Sequence, residues 1–303
     1  MNKFFNSLEK SLPFVFGLCV FLYFGLVYPH HVHYQEQFQL FLTTPAFFLE
    51  MAAKPGGISD YLGTFLTQFF LFSWTGAAII ALLLTAMQWL IQTISHKISP
   101  ARAWLALSYI PSVFYWILLC NENFLTGGVV SILVALCVWL LYFHISKTSF
   151  RKLYVLFAIP VIYWIAGGSV IIFALGCLTL EWFKDRSARG RITATALILL
   201  MLGLCFFTAK MMQPQYPFAR LVYGTDFFRF PKSYPAWVWV MWLFCLIIPL
   251  SRLVLPSVFK KPQNQTMTRV ITSLVIVCMG TYMIVINTDT AKEDIMAYDH
   301  YVR

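Results

Sequence analysis

Acidic side chains in two separate polar segments are the first candidates for chemistry. Glu36 lies in the segment YPHHVHYQEQFQLF, and Glu122 lies in the short turn Asn121-Glu122-Asn123. A carboxylate that is partly removed from water can act as a general base or as an oxygen ligand for a divalent metal. If both segments reach the same face of the protein, the two acids can converge on Mg²⁺ or Mn²⁺ and leave room for a phosphate. The alternative is structural: Glu36 then only favours a helix start, and Glu122 only a polar turn.

Three histidines lie just before Glu36, at positions 30, 31 and 33. Neutral imidazole is a common metal ligand, so His33 is a candidate to join Glu36 and Glu122 on a metal. The spacing of the histidines matches no standard metal site. Amphipathic side chains are also frequent where a chain meets a membrane surface, and a structural role for the histidines is the alternative.

A later segment, AKMMQPQYPFARLVYGTDFFRFPKSYPAW, alternates basic and aromatic residues. Guanidinium groups bind phosphate through paired donors, and aromatic rings pack well against lipid or sugar. Arg220, Arg229 and Lys232 are therefore candidates to bind a phosphate-bearing substrate at a membrane surface. The alternative is an aromatic belt in which the cations extend toward water.

The elements that position these residues follow from composition. Of the 303 residues, 60% are hydrophobic and 11% are charged, and the mean hydropathy is +0.73. The apolar runs are long and continuous, as in membrane-spanning helices, and do not alternate as in barrel strands. An all-α, polytopic transmembrane protein is predicted. The net charge of +10 is then assigned to loops at the membrane, and no nucleic-acid partner is expected.

Nine spans are predicted from the apolar runs. They run at about 12–28, 73–94, 101–120, 124–145, 153–166, 169–183, 192–209, 236–254 and 270–287. The apolar stretch from Lys152 to Lys184 is read as a hairpin that turns at Gly167-Gly168-Ser169, because a single tilted helix would place its flanking cations on opposite sides. Residues 34–72 are read as interfacial helices with a break near Pro45, because apolar residues recur at helical spacing opposite polar ones and because a further span would invert the charges of the later loops.

This arrangement puts most Lys and Arg residues on one side, which predicts a cytoplasmic N-terminus and an extracytoplasmic C-terminus. Most carboxylates then lie outside, so function is sought on the outer face. Residues 1–288 form the predicted transmembrane domain. Residues 289–303 form an outer tail, which can also be the start of a truncated soluble helical domain.

The order of these features resembles the glycosyltransferase C superfamily. The shared features are an early span, an acidic outer loop with interfacial helices, and a second acidic turn after the third span. The passage KPGGISDYLGTFLTQFF is similar to the loop that leads into the next span of those enzymes. The segments YPHHVHYQEQFQLF and AKPGG also resemble an uncharacterised family of bacterial membrane proteins, whose members carry a soluble helical extension after the last span.

The first resemblance implies transfer of a sugar from a polyprenyl-phosphate carrier outside the cytoplasm. Glu36 and Glu122 would then be the catalytic acids, and Arg220, Arg229 or Lys232 would face the donor phosphate. The expected partners are the lipid bilayer and a lipid-linked sugar, in the bacterial inner membrane. The alternative is a non-catalytic membrane anchor or assembly subunit that presents its C-terminal part outside.

Overall fold

The protein is described here from a computed structural model. It describes residues 2–37, 39–98, 106–184, 188–230 and 235–254, and in the last segment residues 278, 280–282, 284–286 and 288. The predicted span at 270–287 and the tail at 289–303 therefore lie largely or wholly outside the described residues.

The described part of the chain is helical and contains no strand, which confirms the all-α prediction. Its α-helices are α1 (Asn2–Leu22), α2 (Pro29–Gln37), α3 (Pro45–Ala52), α4 (Gly57–Thr67), α5 (Ser73–Ile98), α6 (Ile110–Leu119), α7 (Thr126–Tyr142), α8 (Thr148–Ala166), α9 (Val170–Lys184), α10 (Ala188–Met212), α11 (Phe218–Tyr223) and α12 (Trp237–Val254). Short π or 3₁₀ turns extend several of them, at Tyr23–Val27, Gln68–Leu71, Ala106–Tyr109 and Gly167–Ser169.

Three helical stretches are long and apolar enough to cross a membrane: Ser73–Ile98, Ser149–Phe183 and Gly190–Met212. A fourth is reached if Ser11–Val27 and Pro29–Gln37, which meet at an angle of 80°, are taken as one broken span. Shorter apolar helices cover Leu107–Leu119, Thr126–Tyr142 and Trp237–Ser251. These lengths and compositions are those of membrane helices. The nine spans and the orientation of the termini stay predictions.

The stretch Ser149–Phe183 is not a straight rod, because its two ends lie together. Arg151 Nε is 3.9 Å from Glu181 Oε1, whereas thirty residues of straight helix would separate them by about 45 Å. The chain reverses at Gly167–Ser169, where Gly167 has φ +55°. The hairpin predicted at this glycine pair is therefore confirmed.

Neighbouring long helices pack in alternating directions. Gly17 of α1 faces Thr85 of α5, and Gly25 of the π turn that extends α1 faces Trp74, so the two helices are antiparallel. Glycine at these positions lets the helices approach closely, as is common between membrane helices. Similar contacts link α7 antiparallel to α8 and parallel to α9, through Tyr154 with Val138 and through Ser131 with Ser169.

The packing defines two ends of the molecule. The loop end is formed by α2, the 120–125 turn, the Gly167–Ser169 turn and residues 213–230. The basic end is formed by the last turn of α5, the α7–α8 connection at 143–151 and the last turn of α9. Every candidate functional residue that the structure describes lies at the loop end.

The segment between α2 and α5, called the first loop below, folds into α3 and α4. This is the region predicted to hold interfacial helices. The break falls at residues 39–44, and α3 begins at Pro45 with Thr44 as its N-cap, whose hydroxyl accepts a hydrogen bond from Phe47 N. No residue of α3 is buried. By contrast, α4 buries its Asp60 and Gly63 face against α7, where Gly63 lies against Gly127. The first loop therefore has one exposed helix and one that belongs to the core.

Candidate functional site

Glu36 lies in the last turn of α2, and its side chain is half-buried. The neighbouring Gln35 is buried and fixes this helix, because its Nε2 donates a hydrogen bond of 3.1 Å to the carbonyl oxygen of Phe124. Phe124 follows the Asn121-Glu122-Asn123 turn by one residue. The structure therefore brings the helix that carries Glu36 against the turn that carries Glu122, as the two-acid hypothesis requires.

Glu122 is half-buried at the tip of a turn that its flanking asparagines hold closed. Asn121 Oδ1 accepts hydrogen bonds from the backbone nitrogen of Asn123, at 3.0 Å, and from Asn123 Nδ2, at 3.1 Å. Asn121 thus forms a local side-chain turn of the kind that asparagine favours. This turn fixes where the backbone of Glu122 lies.

Residues 213–230, called the basic loop below, pair through their backbone with the turn that carries Glu122. Arg229 N donates to Asn123 O at 2.8 Å, Leu125 N donates to Phe227 O at 3.0 Å, and Phe124 pairs with Phe228 as an isolated antiparallel bridge. The exposed Arg229 guanidinium lies 5.6 Å from the centre of the Phe230 ring. Lys232, the third predicted phosphate ligand, lies outside the described residues.

His33 and His31 lie in different environments. His33 Nε2 lies 2.7 Å from Ser73 Oγ, a hydrogen bond that ties α2 to the start of α5. His31 is fully buried and stacks on Tyr28, with ring centres 4.7 Å apart. Within the part of the chain that the structure describes, no three His, Cys, Asp or Glu side chains lie together as a metal-binding group. The predicted binding of a metal by Glu36, Glu122 and His33 stays a prediction.

A buried charge network lies beside these residues, and Arg220 is part of it. Lys54 Nζ is 2.9 Å from Asp60 Oδ2 and 2.8 Å from Asp226 Oδ2. Arg220 Nη2 is 3.0 Å from Asp226 Oδ1, and Asp226 N donates to Asp60 Oδ1 at 2.8 Å. Two cations and two carboxylates thus join the first loop to the basic loop with balanced charge. Arg220, predicted to face a donor phosphate, instead binds a carboxylate in this structure.

The environment of this network shifts the pKa values of Asp60 and Lys54 upward. Burial raises the pKa of Asp60 to about 6, although the Lys54 ammonium acts in the opposite direction. Burial alone would lower the pKa of Lys54, but the two neighbouring carboxylates outweigh it and raise that pKa above its ordinary value. Lys54 therefore stays charged at neutral pH, and Asp60 is poised to take up a proton in mild acid.

Three glycines with positive φ hold the backbone beneath this network: Gly56, Gly167 and Gly224. A Cβ on Gly167 would lie 2.5 Å from Thr225 N, and a Cβ on Gly224 would lie 2.6 Å from the Cα of Gly167. The hairpin turn therefore packs directly on the basic loop, at a distance that no side chain allows. Gly56 N also donates to Trp164 O at 2.9 Å, which links the first loop to the same hairpin.

Sequence reasoning did not find Lys54, Asp60 and Asp226 as a connected group. Their loops are far apart in sequence, and each charge taken alone looked like an ordinary solvated loop residue. One local signal was present: each charged residue lies within four positions of a glycine that adopts positive φ, in Lys54-Pro55-Gly56, Gly56 to Asp60, and Gly224-Thr225-Asp226.

Taken together, the described chain is α-helical, has three or four helical stretches long and apolar enough to cross a membrane, and carries its candidate site at one end of the bundle. The chain belongs to DUF6057, a family of unknown function, whose family model matches residues 3–303. No curated protein and no solved structure matches it. The resemblance to glycosyltransferase C enzymes therefore stays a prediction.

Proposed function

We propose that this protein is a membrane-embedded, glycosyltransferase-like enzyme that uses a polyprenyl-phosphate-linked sugar at its loop end. The observation that carries the proposal is the meeting of three polar segments: Gln35 of α2 binds Phe124, and Arg229 pairs with Asn123. Through these contacts the backbones of the Glu36, Glu122 and Arg229 segments are fixed beside one another. Acid–base and phosphate-binding groups from separate loops then serve one site, as transfer from a phosphate carrier needs.

In the proposed reaction, Glu36 takes the proton of an acceptor hydroxyl. The acceptor oxygen forms a bond to the sugar C1 as the bond from C1 to the phosphate oxygen breaks, and polyprenyl phosphate leaves with the bonding electrons. Arg229 and Lys232 stabilise the negative charge that develops on this phosphate. Arg220 acts indirectly, because its guanidinium is bound to Asp226 and positions the basic loop.

A divalent metal, Mg²⁺ or Mn²⁺, held by Glu36, Glu122 and His33 is a separate proposal. The reaction above is written without a metal step, and the metal would add to it by neutralising the donor phosphate. Isothermal titration of the purified protein with Mn²⁺ tests the metal. Binding that is lost in Glu122→Gln and kept in Glu50→Gln would support a site at these residues.

For the membrane topology we propose nine spans, with the N-terminus in the cytoplasm and the C-terminus outside. The alternating helix directions and the collection of Lys97, Lys147 and Lys152 at the basic end support this arrangement. Single cysteines test it in a cysteine-free background, with a maleimide reagent that does not cross membranes. In intact cells, Glu50→Cys at the loop end should react and Lys147→Cys at the basic end should not.

The enzymatic proposal is tested in proteoliposomes. Polyprenyl phosphate is the common product of all such donors, so its binding is measured first, followed by release of labelled sugar from a panel of polyprenyl-phosphate sugars. Glu36→Gln should lower transfer by about 10²–10⁴-fold, which is the usual contribution of a general base, and leave product binding intact. Arg229→Gln should weaken product binding. Glu50→Gln, an exposed acid on α3, is the matched control and should change neither.

Unchanged transfer in Glu36→Gln would remove Glu36 from the base role. Absence of polyprenyl-phosphate binding by the wild-type protein would favour the second candidate, a membrane anchor or assembly subunit. The charge network of Lys54, Asp60, Arg220 and Asp226 favours that candidate, because its charges balance one another without a ligand.

A further inference from the structure

A cavity of about 360 Å³ lies at the basic end, between α8, α9 and α10. Its walls are mainly apolar and include Leu156, Ile159, Leu197 and Met201. Ile159 follows Arg151 by eight residues on α8, so the cavity extends about 12 Å along the helix from the charged end. Leu197 is 43% exposed and forms part of the rim, so the cavity opens sideways toward the surroundings of the bundle.

The charged end of this cavity is basic. Arg151 and Lys152 line it from the first turn of α8, and Glu181 is the one carboxylate among its described lining residues. Arg151 is only 6% exposed. Its Nε lies 3.9 Å from Glu181 Oε1, so the two side chains form an ion pair at the charged end. Tyr142 donates a hydrogen bond to the same carboxylate oxygen.

A second cavity, of about 380 Å³, meets the first at Arg151. Lys97, Phe143 and Phe183 contribute to its lining, and no acid lies among the lining residues that the structure describes. Arg151 therefore separates two cavities whose described linings carry three cations and one carboxylate in total. An anion is the ligand that this balance favours.

Trp182, next to Glu181 in the chain, indicates the depth of the charged end of the cavity in the membrane. The Arg191 guanidinium lies 5.7 Å from the centre of the Trp182 ring, and Trp182 Nε1 donates to Thr195 Oγ1 at 2.9 Å. Trp and basic residues together are typical of the membrane–water interface. The cations therefore lie at headgroup depth, and the apolar cavity extends from there toward the hydrocarbon.

From this arrangement we propose that the basic end binds an anionic phospholipid. The phosphate meets Arg151 and Lys152, and one acyl chain lies along Leu156 and Ile159 in the cavity. Guanidinium offers paired donors to phosphate oxygens, and Lys adds a point charge. The cavity volume is within the roughly 300–1,000 Å³ of small-ligand sites, whereas a partner helix of about 10 Å diameter would not enter it. This lipid site is separate from the proposed catalytic site at the loop end.

The test uses the full chain, purified in a neutral detergent and titrated with lipids while bound species are counted by native mass spectrometry. Phosphatidylglycerol should bind at least about tenfold more tightly than phosphatidylcholine, and free glycerol 3-phosphate should not compete at equal concentration. Lys152→Gln should weaken phosphatidylglycerol binding about tenfold, as expected for one lost charge-assisted contact. Lys147→Gln is the matched control, because Lys147 is exposed at the same end and lines neither cavity.

Two further variants keep the test decisive if one variant fails to fold. Arg151→Gln combined with Glu181→Gln removes the cation without leaving an unpaired carboxylate, and should abolish the preference for phosphatidylglycerol. Leu197→Trp should block the side opening, whereas Leu200→Trp, an exposed position on α10 outside the cavity, should not.

Any of three results would overturn the proposal. Equal binding of the two phospholipids would show that charge does not select the ligand. An equal loss in Lys147→Gln and Lys152→Gln would show diffuse attraction without a site. Competition by glycerol 3-phosphate would identify a phosphate site that does not use the acyl chain.

Discussion

Replacement of Lys54 by methionine is the sharpest test of the buried charge network. Lys54 Nζ lies within 3 Å of an oxygen of both Asp60 and Asp226, and Asp60 is only 5% exposed. Removal of one partner from a buried ion pair costs about 3–5 kcal/mol, because a buried charge is left uncompensated. Lys54 is 16% exposed and Asp226 is 23% exposed, so we expect about 3 kcal/mol, near the lower limit.

The loss of stability caused by Lys54→Met should depend on pH, because it depends on whether Asp60 is charged. Burial raises the pKa of Asp60 to about 6, and loss of the Lys54 charge raises it further. An acid whose pKa is higher in the folded state contributes less stability as pH rises from its unfolded pKa, near 4, through its folded pKa. Lys54→Met should therefore be most destabilising at pH 8 and much less so at pH 5.

The assay is the free energy of unfolding of the full chain, from denaturant titration in detergent micelles at pH 8 and pH 5. Adding Asp60→Asn to Lys54→Met should restore stability to within about 1 kcal/mol of wild type, because it removes the uncompensated charge. Lys147→Met, at an exposed cation of the basic end, should change stability by no more than about 0.5 kcal/mol. A cost below about 1 kcal/mol for Lys54→Met, or a double variant no more stable than the single one, would refute the reasoning.

Four other changes are measured by the same titration. Gly167→Ala should lower the free energy of unfolding by at least about 1–2 kcal/mol, because φ is +55°; Gly203→Ala, with open space around it in α10, should raise it by about 0.5–1 kcal/mol. Tyr142→Phe should cost about 1–3 kcal/mol, since it removes a buried hydrogen bond to Glu181. Asp60→Asn alone should flatten the fall in wild-type stability expected between about pH 4 and pH 6, and an unchanged pH profile would show that Asp60 does not titrate there.

The hairpin at Gly167 shows why much of the fold could be predicted. The hairpin was predicted from the cations at both ends of this apolar stretch, because Lys and Arg residues collect on one side of the membrane. The start of α3 at Pro45 follows from proline geometry in the same way, because proline fits the first turn of a helix and interrupts a continuing one. These rules act on a few neighbouring residues, so they can be read from sequence.

The charge network could not be predicted in this way, because it depends on which loops meet. Lys54 and Asp226 are 172 residues apart, and no local rule pairs them. Of the glycines at 56, 167 and 224, only Gly167 was predicted to form a turn. Only the folded chain shows that the three turns contact one another and bring the charges together.

The structure also separates two arginines that the sequence treated alike. Arg220 and Arg229 were both predicted to face a donor phosphate, yet Arg220 lies 3.0 Å from the Asp226 carboxylate, while Arg229 is exposed beside Phe230. A phosphate would have to displace a carboxylate to bind Arg220, and Asp226 would then repel that phosphate. Arg229 is joined by its backbone to the turn that carries Glu122, so it stays the candidate to bind a phosphate there. The backbone of the basic loop binds the Glu122 turn through the hydrogen bond from Arg229 N to Asn123 O. In the proposed enzyme, the charge network at Lys54 and Arg220 therefore has a positioning function: it holds the basic loop against the Glu122 turn.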